Sequence, residues 1–214
     1  MAETLRNRSF LLSALASFLM FAASLVSVVL SSAYADVSVS NSVTDIILSN
    51  TRVYDVDWIF VYGALSMVIF SAGVLFTIKL KALPFVLKSA ALFLLVRSIS
   101  VSLTHISPYP TRVLISENFI SSYRLAQAIF SGNDLFFSGH VGLTFLVALL
   151  FWDTPVLRYI YLSMSIVFAV VVLLGHLHYS IDVFAAYFIT YTIFVIARNI
   201  FKSDYERTLT VAAP

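Results

Sequence analysis

The chain contains no cysteine and little charge. The missing thiol excludes disulfide bonds, cysteine nucleophiles and cysteine-ligated metals. Charged residues make up 11% of the 214 residues, against about 25% in a typical soluble domain, which argues against a soluble protein. The formal net charge is only +2 and the sequence has no basic run, so we expect no nucleic-acid partner.

Long apolar segments take the place of charge. Hydrophobic residues make up 60% of the chain, and the mean hydropathy is +0.96. Six segments come close to the ~20 residues that cross a bilayer, although the fourth is short and could begin inside the preceding loop. They run roughly over Phe10–Leu30, Trp58–Ile78, Leu83–His105, Phe137–Trp152, Val156–Leu174 and Ile181–Ile200. The sequence therefore predicts an all-α, multi-pass membrane protein in which residues 1–214 form a single six-helix domain.

Lys and Arg residues are divided unequally between the two sides of these segments. One side has Arg6, Arg8, Lys79, Lys81, Lys88, Arg158, Arg198, Lys202 and Arg207. The other side has Arg52, Arg112 and Arg124. Basic loops tend to remain in the cytoplasm, so we expect both termini to be cytoplasmic. The loops at 31–57, 106–136 and 175–180 would then face outward, on the periplasmic, extracellular or lumenal side.

The N-terminus and the outer loops each admit a second interpretation. An apolar run followed by Ala33-Tyr34-Ala35 resembles a secretory signal with an Ala-x-Ala cleavage site, but a run of about 20 residues is long for a signal core and favours a retained helix. Residues Ser116–Phe130 could form an amphipathic helix on the membrane surface. The simplest interpretation of the acidic 31–57 loop is a solvated loop. Its acidic residues are Asp36, Asp45, Asp55 and Asp57.

Two polar segments lie at the starts of apolar runs on the expected outer side. One is Ser138-Gly139-His140, where free backbone N–H groups at a helix start can hold phosphate oxygens. The other contains His178 and Asp182, which are neighbours on a helix because they are four residues apart. A carboxylate bonded to one imidazole nitrogen makes the other nitrogen a better base or nucleophile. Together these residue types can carry out acid, base and nucleophile chemistry on a lipid phosphate.

Two alternatives to this interpretation stay open. Histidines in apolar segments are often satisfied core residues, although two on one side, one of them with an Asp four residues later, argue against that. A histidine-held metal site is the sharper alternative, because His105 and His176 are also present. No Glu or third ligand occurs at helical spacing, so we expect no metal and no cofactor.

Arg97 lies well inside the third apolar segment. Arg97, Ser100 and Thr104 share one helix face because they are spaced at i, i+3 and i+7. A charge at this depth is costly and usually faces a polar cavity or a partner. We favour a substrate-facing Arg97 that binds phosphate together with Ser138 and Gly139. The alternative is that Arg97 snorkels or pairs with a carboxylate and so holds helices together.

The two histidine segments resemble the second and third signatures of the type 2 phosphatidic acid phosphatase (PAP2) superfamily, most closely its sphingomyelin synthase branch. That branch has an Asp four residues before Ser-Gly-His, as Asp134 is here. Its third signature and the residues that follow are similar to His176–Val183 and Ala186–Thr190. Its third helix has a comparable polar pattern. The matching residues are Arg97, Ser100, Thr104 and, shifted by one, Pro108.

The resemblance implies a six-helix fold with a catalytic core at 83–200 and metal-independent phosphotransfer. It assigns His178, oriented by Asp182, as the nucleophile that forms a phosphohistidine-type intermediate. It assigns His140 as the acid that protonates the leaving alcohol. From charge and aromatic character, we expect Asp134, Phe137 and Tyr179 to bind a choline or ethanolamine headgroup, partly through cation–π contact.

The chain also departs from the phosphatase branch. It lacks a Lys-x6-Arg-Pro segment, and the position of an Arg six residues before the third-signature His is Val172. It also lacks the prolines of the synthase branch's first signature. A phosphomonoester carries up to about two negative charges near neutral pH, whereas a phosphodiester carries one. The small number of cations in this chain therefore favours a phosphodiester as the substrate.

Our leading hypothesis is a lipid phosphotransferase. It would move phosphocholine or phosphoethanolamine from a glycerophospholipid donor to a ceramide- or diacylglycerol-like acceptor. One alternative is a lipid phosphate phosphatase or phospholipase C-type hydrolase, for which water is the acceptor. A non-catalytic lipid-binding protein or transporter is a third, but it would have no need for an imidazole–carboxylate pair. The sequence leaves open whether the protein forms a homo-oligomer.

Overall fold

The computed structural model describes residues 6–113 and 134–209. Within these ranges the regular structure is helical and no strand occurs, which confirms the all-α class. The α-helices are α1 (Arg8–Ser38), α2 (Asp57–Thr77), α3 (Leu83–Leu103), α4 (Gly139–Leu150), α5 (Pro155–Leu174), α6 (Ser180–Ile200) and α7 (Lys202–Leu209). Short 3-10 turns occur at Leu48–Asn50 and Leu80–Ala82.

Five of the described helices are long and apolar enough to cross a bilayer, which indicates an integral membrane protein. They are α1, α2, α3 with its preceding turn, α5 and α6. The fourth predicted span is shorter than expected, because α4 has only 12 residues and starts at Gly139. A helix of that length rises about 18 Å, against a hydrocarbon core of about 30 Å. Phe137 and Ser138, which the sequence assigned to this span, lie in the loop before it.

Helix α1 continues eight residues beyond its predicted end at Leu30. Hydropathy falls at Ser31 and Ser32, yet both side chains are buried. The Ser31 hydroxyl donates to the Val28 carbonyl of its own helix at 3.0 Å, so the polar group is satisfied without ending the helix. The Ala33–Ala35 segment, read from sequence as a candidate cleavage site, therefore lies inside α1.

Helix α4 lies in the middle of the bundle, where it packs against α5 and α6 and contacts α3. Helix α1 packs along α3, and α2 contacts α5. The close approach of α4 depends on Gly142. A Cβ there would lie 2.7 Å from the Phe93 ring and 2.8 Å from the Thr190 hydroxyl, so any larger residue would push the helices apart.

The end of the bundle that holds α7 is fixed by a buried ion-pair cluster. The Asp204 carboxylate accepts hydrogen bonds from Ser13 and Lys88, and its Oδ1 also accepts one from Arg207 at 2.8 Å. Asp204 is buried. Helices α1, α3 and α7 are thereby joined at the side that the sequence predicts to be cytoplasmic.

The loops at the opposite end of the bundle are hydrogen-bonded to each other. The Tyr54 N–H donates to the Leu174 carbonyl at 2.9 Å, and the Val113 N–H donates to the Gly175 carbonyl at 3.0 Å. The loop before α2 and the loop after α3 are therefore tied to the short segment that precedes α6. The amphipathic segment expected at Ser116–Phe130 lies outside the described residues.

Candidate active site

His178 and Asp182 form a buried pair at the start of α6. The His178 Nδ1 atom lies 3.4 Å from Asp182 Oδ2. The same oxygen accepts the Tyr179 N–H at 2.9 Å, so one carboxylate both caps the helix and faces the imidazole. A proton on Nδ1 would donate to this carboxylate and leave Nε2 with the free lone pair. Asp182 is fully buried and His178 is 6% exposed, so water competes weakly for the pair.

The Ser-Gly-His segment lies directly beside this pair. Helix α4 begins at Gly139, which puts His140 in its first turn. The Ser138 N–H donates to the Asp182 carbonyl at 3.3 Å and so joins the start of α4 to the start of α6. His140 follows Ser138 by two residues and His178 is paired with Asp182, so this hydrogen bond joins the two segments that carry the imidazoles. The two histidines predicted from the sequence are thus brought to one end of the bundle.

Two aromatic rings flank the His140 imidazole. The Phe60 ring of α2 lies with its centroid 4.0 Å from the His140 ring, and the Phe168 ring of α5 lies at 5.5 Å. The sequence does not indicate either phenylalanine as a site residue, because an aromatic residue in an apolar helix carries no local sign of contact with a histidine. These rings limit the orientations that the imidazole can adopt.

Arg97 and Asp134, which the sequence assigned to different parts of the lipid, contact each other. The Arg97 Nη1 lies 2.7 Å from Asp134 Oδ2, while Nη2 donates to the Asp134 carbonyl at 2.6 Å. Arg97 Nε donates to the Phe137 carbonyl at 2.9 Å. The guanidinium therefore holds the segment that leads into α4, as in the carboxylate-pairing alternative for Arg97.

The absence of a side chain at Gly139 leaves room for the Arg97 guanidinium. A Cβ at Gly139 would lie 3.0 Å from Arg97 Nε, closer than an unstrained contact allows. Arg97 therefore lies against the backbone of the Ser-Gly-His segment, even though its charge is already balanced by Asp134. A phosphate at the start of α4 would be close to this ion pair.

The two aromatic residues expected at a headgroup are buried. Phe137 is fully buried and packs edge-on against Phe93. Tyr179 is 1% exposed, and its hydroxyl donates to the Ser107 carbonyl at 2.7 Å. Cation–π contact needs an accessible ring face, and neither ring offers one in this structure. Contact of Phe137, Tyr179 or the paired Asp134 with a headgroup stays a prediction.

Asp45 belongs to the site region, although the sequence favoured a solvated 31–57 loop. Its side chain is 7% exposed, and Oδ2 accepts both the N–H and the hydroxyl of Ser180 at 2.7 Å. Burial alone would raise the pKa of Asp45, but hydrogen bonds from Ser180 and from nearby loop amides outweigh it and lower the pKa. The two residues are 135 positions apart, so no local pattern could have revealed the contact.

His105 and His176, whose presence in the sequence allowed a metal site as an alternative, make other contacts. The His176 Nδ1 pairs with the Thr111 hydroxyl at 2.6 Å, and the His105 ring lies against Tyr34. In the parts of the chain that the structure describes, no group of three or more His, Cys, Asp or Glu side chains is arranged to hold a metal ion. The arrangement that remains is two imidazoles and a carboxylate beside a helix start.

Comparison with known proteins locates a family relationship in this region. Neither the curated proteins nor the solved structures contain a match to the chain. Residues 131–199 match the family model described as PAP2 superfamily C-terminal. That range includes both histidine segments, α4, α5 and most of α6. The match, together with the all-α fold and the apolar helices, supports membership of this membrane protein in the PAP2 superfamily.

Proposed function

We propose that the protein is a lipid phosphotransferase that moves a phosphoalcohol headgroup from a glycerophospholipid to a ceramide- or diacylglycerol-like acceptor. The family match supports phosphatase- or phosphotransferase-type lipid chemistry in general. The observation that carries the proposal is the hydrogen bond from the Ser138 N–H to the Asp182 carbonyl. Through this contact, the His178–Asp182 pair and His140 lie at one end of the bundle, where a single phosphate could meet both imidazoles.

The proposed reaction has two steps. The Nε2 atom of His178 attacks the donor phosphorus, and the bond from phosphorus to the diacylglycerol oxygen breaks while His140 donates a proton to that oxygen. The phosphoalcohol is then bonded to His178. An acceptor hydroxyl next gives its proton to His140 and attacks phosphorus, which frees His178. Splitting one transfer into two displacements lowers the barrier of each, and Asp182 stabilises the charge that develops on His178.

Phosphate oxygens would be held at the start of α4. The first N–H groups of a helix have no partner within the helix and attract anions. The Ser138 hydroxyl is fully buried and has no hydrogen-bond partner among the described residues, so it can donate to a phosphate oxygen. Arg97 lies against Gly139 and contributes positive potential there. Its pairing with Asp134 reduces that potential.

The charge balance favours a diester substrate over a monoester. Arg97 is paired with a carboxylate, and the position where the phosphatase branch has an Arg is Val172, which is fully buried among apolar residues. A monoester brings up to about two negative charges and a phosphodiester brings one. A site with this little net positive charge compensates one charge more easily than two. This argument supports headgroup transfer over phosphatase activity.

The donor preference follows from this charge balance. We expect kcat/KM for phosphatidylcholine or phosphatidylethanolamine to exceed that for phosphatidic acid by about tenfold or more. An uncompensated polar or charged group costs about 1–3 kcal/mol or more, and 1.4 kcal/mol is about a factor of ten in rate. The measurement is incubation with labelled donors, with and without ceramide, followed by lipid chromatography. Rapid phosphate release from phosphatidic acid without headgroup transfer would support the phosphatase alternative.

The variant Asp134→Asn separates two roles for Asp134 in the same assay. If Asp134 contacts the headgroup, transfer from phosphatidylcholine falls and transfer from phosphatidylglycerol, whose headgroup is uncharged, is spared. If Asp134 only balances Arg97, the freed guanidinium raises use of phosphatidic acid and changes both diesters equally. The ratio of the two diester rates therefore decides between these roles.

Labelling of introduced cysteines tests which side of the membrane carries the site. Ser42 in the first outer loop and Ser203 in α7 are both exposed and lie at opposite ends of the bundle. We expect Ser42→Cys to react with an impermeant thiol reagent in intact cells, and Ser203→Cys to react only after permeabilisation. The chain has no native cysteine, so the background is clean. Reaction of Ser203→Cys in intact cells would put the active site on the cytoplasmic face.

A further inference from the structure

The Asp45 carboxylate accepts four hydrogen bonds, and these connect the first outer loop to the start of α6. Its Oδ1 accepts the N–H groups of Ile47 and Leu48 at 2.8 and 3.1 Å. Its Oδ2 accepts the N–H and the hydroxyl of Ser180, both at 2.7 Å. Both oxygens are therefore saturated with donors from two parts of the chain. The bonds to Ile47 and Leu48 fix the carboxylate within its own loop, and those to Ser180 fix α6 to that loop.

Ser180 lies between the two members of the proposed catalytic pair. His178 is two residues before it and Asp182 is two residues after it. Asp182, a residue of α6, accepts the Tyr179 N–H with its Oδ2. Asp45, a residue of the first outer loop, accepts the Ser180 N–H. The turn that carries the imidazole is therefore held by two carboxylates, each on a different N–H group. An anion at this helix start is also favoured by the helix dipole.

The loop that carries Asp45 is packed against the same turn. Leu48 is 2% exposed and belongs to a small apolar cluster with Tyr179 and Leu135. The Val43 N–H donates to the Tyr179 hydroxyl at 3.3 Å. Because the loop contacts the turn through apolar surface as well as hydrogen bonds, a shift of the loop would be transmitted to the backbone next to His178.

We propose that Asp45 is a positioning residue for the reaction and acts through Ser180 to hold His178 and Asp182 in the geometry for attack on phosphorus. This inference rests on the proposed function. Attack on phosphorus needs the nucleophile aligned with the leaving oxygen, and a displacement of about 1 Å can cost about 100-fold in rate. The first outer loop, which lies outside residues 131–199, is in this way part of the active-site structure.

The test separates positioning from a general effect on folding. Asp45→Asn replaces one acceptor oxygen by an NH2 group, which cannot accept the N–H donors that it would face. We expect kcat per folded protein to fall about 10- to 100-fold, with KM for the phospholipid donor unchanged, because the groups that contact the substrate remain. Asp45→Glu keeps both oxygens and the charge, and we expect its kcat to lie between those of Asp45→Asn and the unaltered protein. Folded protein is quantified as the monodisperse fraction on gel filtration.

Asp55→Asn is the matched control. It makes the same chemical change in the same loop, but Asp55 is exposed and its Oδ1 accepts the N–H of Asp57, a neighbour in the chain. We expect kcat for this variant to equal that of the unaltered protein. Ser180→Ala provides a second route to the same contact. It removes one of the four bonds, so its kcat should fall in the same direction as that of Asp45→Asn but less.

Three results would overturn the proposal, and a fourth would overturn the proposed function instead. A kcat at the unaltered value in Asp45→Asn or, if that variant does not fold, in Ser180→Ala overturns the proposal. So does a loss that disappears after normalisation to folded protein, or an equal loss in Asp55→Asn. If the unaltered protein transfers no headgroup in this assay, it is the proposed function that fails, because that result does not depend on Asp45.

Discussion

The variant His178→Ala is expected to lose turnover on every donor, whereas His140→Ala is expected to keep attack on donors with a good leaving group. His178 is the proposed nucleophile, so its removal eliminates the covalent step itself. His140 supplies a proton to the leaving alcohol, and that assistance is worth about 10²- to 10⁴-fold. A leaving group such as nitrophenolate needs little protonation, so the effect of His140→Ala should shrink on an activated donor.

Initial rates on phosphatidylcholine and on a nitrophenyl phosphodiester, compared across the variants, measure this difference. His105→Ala is the matched control, because its ring contacts Tyr34 and the Ser102 carbonyl. It should behave as the unaltered protein on both donors. Equal losses in His178→Ala and His140→Ala on the activated donor would contradict the assigned roles. Loss of activity in His105→Ala would instead revive the metal-site alternative.

Removal of the Arg97 guanidinium should destabilise the protein strongly. Arg97→Met leaves the Asp134 carboxylate buried without its cation and leaves the Phe137 carbonyl without its donor. Breaking a buried ion pair by removing one partner costs about 3–5 kcal/mol. We therefore expect a large fall in Tm, measured by tryptophan fluorescence on purified protein, and little activity.

The double variant Arg97→Met/Asp134→Leu separates the structural role of Arg97 from a role toward phosphate. With both charges removed, no buried charge is left unpaired, so much of the lost stability should return. If Arg97 also provides positive potential for the phosphate, headgroup transfer should stay low in the stabilised double variant. Full recovery of transfer together with Tm would reduce Arg97 to a structural residue.

Gly139→Ala complements these Arg97 and Asp134 variants, because it perturbs the position of Arg97 while keeping both charges. The added Cβ would lie 3.0 Å from Arg97 Nε, so the guanidinium or the loop must shift by a few tenths of an ångström. The ion pair can adapt to such a shift more easily than to the loss of a partner. A change in donor preference without a large change in Tm would then point to Arg97 as part of the phosphate site.

Hydropathy and local spacing predicted much of the fold. The apolar runs located the five long helices and the shorter α4, because burial in lipid needs a continuous apolar stretch. The ends were less accurate. Helix α1 passes through Ser31 and Ser32 because serine can bond to its own helix, and α4 starts late because the preceding residues hold Arg97 instead of forming helix.

The sequence by itself predicted that His178 and Asp182 pair, from their spacing of four residues. In the structure α6 begins at Ser180, so His178 precedes the helix and meets Asp182 at the helix start, where Asp182 also accepts the Tyr179 N–H. Only the tertiary structure decided the contacts around that pair. Arg97 meets Asp134 across 37 positions, and Asp45 meets Ser180 across 135. Such contacts depend on how helices pack and where loops fold over them, which a single sequence does not encode locally. For the same reason, the burial of Tyr179 and Phe137 and the contact of Phe60 with His140 emerged only from the folded chain.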